Sequence, residues 1–132
     1  MITASWYTKL PNTYQVIGIS RSSPRGLVKG YRLYKKLAPG PWFKTATDDE
    51  YAALYFGEVL ADLDPALVLA DLINLSDGKV PALVCYEKPG VDGWCHRGMV
   101  SVWLHQHLGI EVAEYGHEGF GLQHIMLPNR GA

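Results

Sequence analysis

The chain of 132 residues lacks the features that are typical of membrane, secreted and disulfide-rich proteins. It has no apolar run near the roughly 18 residues that a membrane-spanning helix needs. Its first residues do not join a basic start to a long apolar stretch, so we expect no signal peptide. It has only two cysteines, Cys85 and Cys95, which favours a reducing, cytoplasmic location and a fold without disulfides. A hydrophobic content of 48% predicts one globular domain over residues 1–132.

Acidic residues are missing from the first third of the chain. Residues 1–47 hold eight Lys and Arg and no Asp or Glu, whereas residues 48–132 hold all 13 acids and four basic residues. The two parts could pair with each other across the fold. Alternatively, the cations could form a surface that faces an anionic partner. Both interpretations stay open from the sequence alone.

Short apolar segments predict buried strands at two places. Residues 14–19 read YQVIGI, and residues 80–87 read VPALVCYE, which is nearly continuous apolar sequence. Residues 110–115 form a further candidate strand, and residues 122–127, LQHIML, a candidate last strand.

Helix starts are marked by capping residues between these strands. Thr47 and Glu50 form a capping-box pattern, and Asp64 precedes a proline at the first helical position. A third helix is predicted from near Cys95 to Gly109, where glycine is typical of a helix end. Strands that alternate with helices predict an α/β fold, a small three-layer sandwich with a mainly parallel sheet.

Two loops follow the predicted strands and are rich in cations. In a parallel sheet such loops lie at one edge, and ligands bind there. We therefore expect the segments SRSSPRG and EKPGVDGWCHR to meet in one crevice. The candidate ligand-binding residues are the cations Arg21, Arg25, Lys36 and Arg97, together with Gly98.

The helix start at Cys95 is a candidate anion site. Free backbone amides and the helix dipole attract anions, Arg97 adds a forked donor, and Gly98 permits close approach of a ligand. The structural alternative is that Cys95 only caps the helix and that Arg97 pairs with an acid such as Asp92. For Arg97 we favour ligand binding, and for Cys95 a structural thiol.

Glu87, Cys95 and His96 are the candidate catalytic residues. Glu87 ends a buried strand where the crevice should open, so it could act as a general base or bind a ribose hydroxyl. An ion pair of Glu87 with Arg97 or Lys88 explains its position equally well. His96 is the second candidate for moving a proton.

Several known site patterns are absent from the sequence. There is no Walker A pattern and no G-x-G-x-x-G pattern. The candidate zinc ligands match no known spacing, so we expect neither a metal nor a cofactor; these ligands are Cys85, Cys95, His96, His105 and His107.

Five segments together resemble the domain of unknown function 488 family, in particular its small stand-alone members. In chain order they read IGISRSSPRG, KGYRLYKKLAP, YFGEVLADLDP, LVCYEKPG and WCHRGMVSVWL. The resemblance covers residues 6–115 and leaves out the tail from residue 116. It implies an α/β fold and no settled activity. It also implies a shared pocket formed by Arg21, Pro24, Glu87, Cys95, His96 and Arg97.

The sequence therefore favours a protein that binds a phosphate-bearing ligand, a nucleotide or a nucleic acid, and not a membrane. An enzyme that acts on this ligand is one form of the prediction. The alternatives are a non-catalytic binding module and a protein-interaction domain with a basic face.

Overall fold

Five parallel strands form one sheet in the computed structural model, which describes residues 1–27, 29–118 and 124–128. Their order across the sheet is β3-β2-β4-β1-β5, and every pairing is parallel. The strands are β1 (Ile2–Ser5), β2 (Tyr14–Gly18), β3 (Arg32–Leu33), β4 (Val80–Cys85) and β5 (Ala113–Glu114). The predicted α/β class with a parallel sheet is confirmed.

The described residues form three α-helices, α1 (Asp48–Leu54), α2 (Pro65–Ser76) and α3 (His96–Leu108). The first two connect β3 to β4, and the third connects β4 to β5. The capping box of Thr47 and Glu50 starts α1, and the Asp64 carboxylate accepts the Ala66 amide at the start of α2. Gly109 ends α3 in the left-handed conformation, with φ of 68°.

The two faces of the sheet are covered by different parts of the chain. Because side chains alternate along a strand, Leu83 and Ile17 share the face on which the helices pack. Val84 and Ala4 point to the other face, where Trp6 from a loop covers them. Loop segments thus supply the layer that faces away from the helices.

β1 was not expected from the sequence. It reads ITAS, so it lacks an apolar run, although all four of its residues are buried between β4 and β5. The strand expected at residues 122–127 is not formed in the part that the structure describes, because residues 124–127 make turns instead. Residues 122 and 123 lie outside the described residues.

No helix in the described part of the chain is long and apolar enough to cross a membrane.

Candidate functional site

A cavity of about 310 Å³ opens at the carboxyl ends of β2 and β4. Ser20 and Arg21, which follow β2, line one side of it, and Cys85 and Glu87 line another. His96 from the start of α3 also lines it. The expectation that the two loops meet at one edge of the sheet is confirmed.

Arg21 is the one Lys or Arg among the described residues that line this cavity, which Glu87 and Asp92 line too. Its Nη1 donates to the carbonyl of Pro39 at 2.9 Å, and its guanidinium lies 5.4 Å from the centre of the Phe43 ring. Within the described residues no carboxylate forms a salt bridge with it. Arg21 is thus held in place on one side and has the rest of its guanidinium available for a ligand.

Cys85, Cys95 and His96 form a buried cluster beside the cavity. The Nδ1 atom of His96 lies 3.8 Å from Sγ of Cys85 and 3.6 Å from Sγ of Cys95. On the other side of the ring, Nε2 lies 2.8 Å from the carbonyl oxygen of Ile19. A carbonyl oxygen only accepts, so Nε2 carries a proton and donates it, and Nδ1 faces the two thiols.

Contacts within the cluster shift the pKa values of its two thiols in opposite directions. Burial would raise the pKa of Cys95, but the Cys85 thiol and the charges of His96 and Arg97 hold it well below its usual value. The hydrogen bond to Cys95, together with burial, raises the pKa of Cys85 well above its usual value. Burial would lower the pKa of His96, but the Cys95 thiolate raises it. Both shifts run towards a thiolate at Cys95 and a protonated ring at His96.

Cys95 occupies the position before α3, but its side chain does not cap the helix. Its thiol faces Cys85 and His96 instead, which corrects the expectation of a capping thiol. Only 1% of Cys95 is exposed, and it does not line the cavity, whereas Cys85 and His96 do.

Glu87 places a carboxyl group next to the same thiols. Burial and the charge of Cys95 raise the pKa of Glu87. Its Oε2 atom is buried and has no hydrogen-bond partner. The ion pair with Arg97 or Lys88 considered from the sequence is not formed.

Arg97 does not face the cavity. Its side chain is completely buried and donates from Nε and Nη2 to the two carboxylate oxygens of Glu114, at 2.8 Å each. Nη2 also donates to the carbonyl of Glu87 at 2.7 Å. This placement corrects the expectation that Arg97 grips a ligand, and it agrees with the alternative of an ion pair, with Glu114 in place of Asp92.

A chain of hydrogen bonds extends from this ion pair to the loop after residue 123. Thr3 donates to Glu114 at 2.8 Å and lies 2.6 Å from Nε2 of His124. Nδ1 of His124 accepts the Met126 amide at 3.0 Å, so the ring proton is on Nε2. The sequence did not predict this network of Thr3, Glu114 and His124. The register of β1 and β5 pairs Thr3 with Glu114.

Gly98 contacts the chain itself and not a ligand. A Cβ at this position would lie 2.9 Å from the carbonyl carbon of Met126. The Met126 carbonyl also accepts the amide of Cys95 at 2.9 Å. The first turn of α3 is therefore packed under Met126, which corrects the expectation that Gly98 admits a ligand.

The remaining candidate cations, Arg25 and Lys36, do not line the cavity. Lys36 is exposed and approaches Asp71 at 3.9 Å. Among the described residues it is the one cation of residues 1–47 that pairs with an acid, so most of the basic region is not neutralised by the acidic region.

Comparisons with models of known protein families, with curated proteins and with solved structures found no match. The resemblance to the domain of unknown function 488 family stays a prediction.

Proposed function

We propose that the cavity at the ends of β2 and β4 binds a small phosphate-bearing ligand of the nucleotide class. The observation that carries the proposal is Arg21, a fixed cation in the cavity that has no acidic partner among the described residues. Guanidinium groups bind phosphate with two parallel hydrogen bonds, and this match gives them their preference for it.

The other walls of the cavity suit the rest of a nucleotide. Phe43, Tyr51 and Trp94 line it with aromatic rings, on which a base can stack. Glu87 adds a carboxyl group that can accept a hydroxyl hydrogen bond from a sugar. The volume of about 310 Å³ is at the lower end of small-ligand sites, which favours a mononucleotide over a larger ligand.

Titration calorimetry with nucleoside monophosphates and with inorganic phosphate tests this proposal. Arg21→Ala should weaken binding by about 1.5–3 kcal/mol, the usual contribution of a hydrogen bond to a charged group. Arg25→Ala is the matched control, since Arg25 lies in the same loop, is exposed and does not line the cavity. Equal effects of the two variants, or no binding of either compound by the wild type, would contradict the proposal.

Catalysis is the stronger form of the same proposal. Glu87 lines the cavity, and burial together with the charge of Cys95 raises the pKa of its carboxyl group, the direction that favours a general acid or base. If Glu87 is the general base or acid, Glu87→Gln should abolish turnover and leave nucleotide affinity nearly unchanged. Binding without turnover in the wild type would leave the non-catalytic binding module.

The basic region favours nucleic acid as the second candidate partner, because most of its cations have no acidic partner. Binding to single-stranded RNA or DNA should then weaken steeply with salt, and Lys35→Ala with Lys36→Ala should reduce the salt dependence without changing sequence preference. The Arg21→Ala variant separates the two candidates, since it should remove mononucleotide binding and leave most of the nucleic-acid binding.

A further inference from the structure

The Cys85, Cys95 and His96 cluster has the donor atoms and the spacing of a metal site. The two Sγ atoms and Nδ1 of His96 all lie within 4.8 Å of one another, and all three residues are buried. They come from rigid positions, because Cys85 ends β4 and the other two residues start α3. The cluster is therefore held by the core of the fold and not by a surface loop.

The distances fit a tetrahedral ion of the size of Zn²⁺. Zinc bonds of about 2.3 Å to sulfur and about 2.0–2.1 Å to nitrogen, at tetrahedral angles, separate S and N by about 3.6 Å. The observed separations from Nδ1 of His96 are 3.6 Å to Cys95 and 3.8 Å to Cys85. An ion could enter between these atoms with little movement of the backbone.

The ring of His96 is oriented as a metal ligand requires. Its Nε2–H donates to the carbonyl of Ile19 at 2.8 Å, which leaves Nδ1 to carry the coordinating lone pair in the neutral ring. A backbone carbonyl bonded to the far nitrogen is the usual outer partner of a metal-bound histidine, because it fixes both the tautomer and the ring orientation.

Glu87 offers a fourth ligand on the side of the cavity. Its buried Oε2 has no hydrogen-bond partner, but no carboxyl oxygen of Glu87 lies within 4.8 Å of all three ligand atoms, so this side chain must move to reach the ion. Such an unpartnered buried oxygen is uncommon in folded proteins, and a cation beside it would satisfy it. Carboxylate oxygens are common zinc ligands.

We propose that Cys85, Cys95 and His96 bind a thiophilic divalent cation, Zn²⁺, with the Glu87 carboxylate as the fourth ligand. The expectation from the sequence that no metal is bound rested on ligand spacing along the chain, and the fold brings three of those five side chains together. The metal site shares Glu87 with the proposed function but not Arg21, so the Co²⁺ measurement and the Arg21→Ala calorimetry test the two proposals separately.

Binding of Co²⁺ to the reduced, metal-free full-length chain tests the proposal. Co²⁺ reports its ligands directly: thiolate coordination gives near-ultraviolet charge-transfer absorption, and tetrahedral geometry gives intense visible bands. We expect both signals to saturate at an equimolar amount of Co²⁺, and Zn²⁺ to displace them. This measurement uses the wild-type protein, so it does not depend on whether a variant folds.

Variants then assign the ligands. Cys95→Ser and His96→Gln should weaken Co²⁺ binding by more than about 10–100-fold, the loss that even outer-sphere changes cause. Glu87→Gln should keep the charge-transfer absorption and alter the visible bands. His107→Gln is the control, because His107 is exposed and lies at the far end of α3.

Two results would overturn the proposal. One is a wild-type spectrum that stays that of the hydrated ion while both thiols react freely with a thiol reagent. The other is rapid alkylation of Cys95 that phosphate blocks and Zn²⁺ does not, which would identify a nucleophilic thiolate in place of a metal ligand.

Discussion

Glu114 in β5 and Glu87 after β4 both contact Arg97 in the first turn of α3, but their carboxyl groups have different surroundings. Glu114 is 2% exposed and accepts hydrogen bonds from Arg97 Nε, Arg97 Nη2 and Thr3 Oγ1. Glu87 borders the cavity, lies beside two thiols and keeps one buried oxygen without a partner. One carboxylate is saturated by the protein, and the other is not.

The difference between the two carboxyl groups lies in the partners that the protein supplies to each. A buried charge contributes to folding only when its partners come with it, as Arg97 and Thr3 do for Glu114. An unsatisfied buried polar group costs stability, and two such side-chain atoms occur among the described residues, Glu87 Oε2 and Arg97 Nη1. Arg97 pairs with Glu114, whereas its neighbour His96 lies beside the thiols of Cys85 and Cys95.

The largest effect on stability should come from breaking the buried ion pair of Arg97 with Glu114. Arg97→Met keeps an apolar stem but leaves the Glu114 carboxylate buried without its cation, so the free energy of unfolding should fall by about 3–5 kcal/mol. Urea denaturation measures it. Adding Glu114→Gln should recover part of the loss, because the double variant buries no charge. Arg21→Met, on the exposed cation, should change stability by less than about 0.5 kcal/mol. Similar effects at Arg97 and Arg21 would refute the comparison.

Acid should weaken the same network through His124. Burial lowers the pKa of His124 from 6.5 to about 4, and its Nδ1 must stay unprotonated to accept the Met126 amide. The unfolded chain therefore takes up this proton first. The contribution of His124 is complete above about pH 6.5 and is lost as the pH falls towards 4, with a slope of up to about 1.4 kcal/mol per pH unit.

Denaturation at a series of pH values, with NMR titration of the His124 ring, measures this dependence. A His124 ring that titrates near 6.5 would show that the network does not hold it neutral.

The sequence predicts the parts of the fold that local rules determine. The strands at Tyr14–Gly18 and Val80–Cys85 are short apolar runs, and capping residues mark the helix starts. β1 was missed because Thr3 and Ser5 interrupt its apolar pattern, and its burial comes from the strands on each side. A strand in the middle of a sheet can thus be invisible to a local pattern.

The candidate site, like the fold, was predicted from the sequence only in part. Parallel pairing predicts that the loops after β2 and β4 meet, and Arg21, Glu87 and His96 do line one cavity. The partner of Arg97 was missed because it depends on strand register, which places Glu114 beside Thr3. The thiol cluster was missed because the loop between β4 and α3 brings Cys95 and His96 back to Cys85, and spacing along the chain does not show this return.

A smaller effect should follow from disturbing the contact between α3 and the segment at Met126. Gly98→Ala would normally favour a helix, but its Cβ would lie 2.9 Å from the Met126 backbone, which must move. We expect a loss of about 1–3 kcal/mol in thermal or urea denaturation, as for other overpacked sites. Gly57→Ala is the matched control, because no atom lies within 4 Å of the position of its added Cβ. If both variants have the same stability, Met126 does not pack against the helix.

The smallest effect on the free energy of unfolding should come from replacing Glu87. Burial and the nearby Cys95 thiolate raise the pKa of Glu87, so the folded state disfavours its charge. In metal-free protein at neutral pH, Glu87→Gln should therefore leave the free energy of unfolding unchanged or raise it by less than about 1 kcal/mol. Glu114→Gln, the same chemical change, should be clearly destabilising because it weakens the bonds to Arg97. Urea denaturation of the two variants side by side measures the contrast. If Glu87→Gln destabilises the metal-free chain as much as Glu114→Gln does, then Glu87 is a structural residue, and its carboxyl group is not available to bind a ligand.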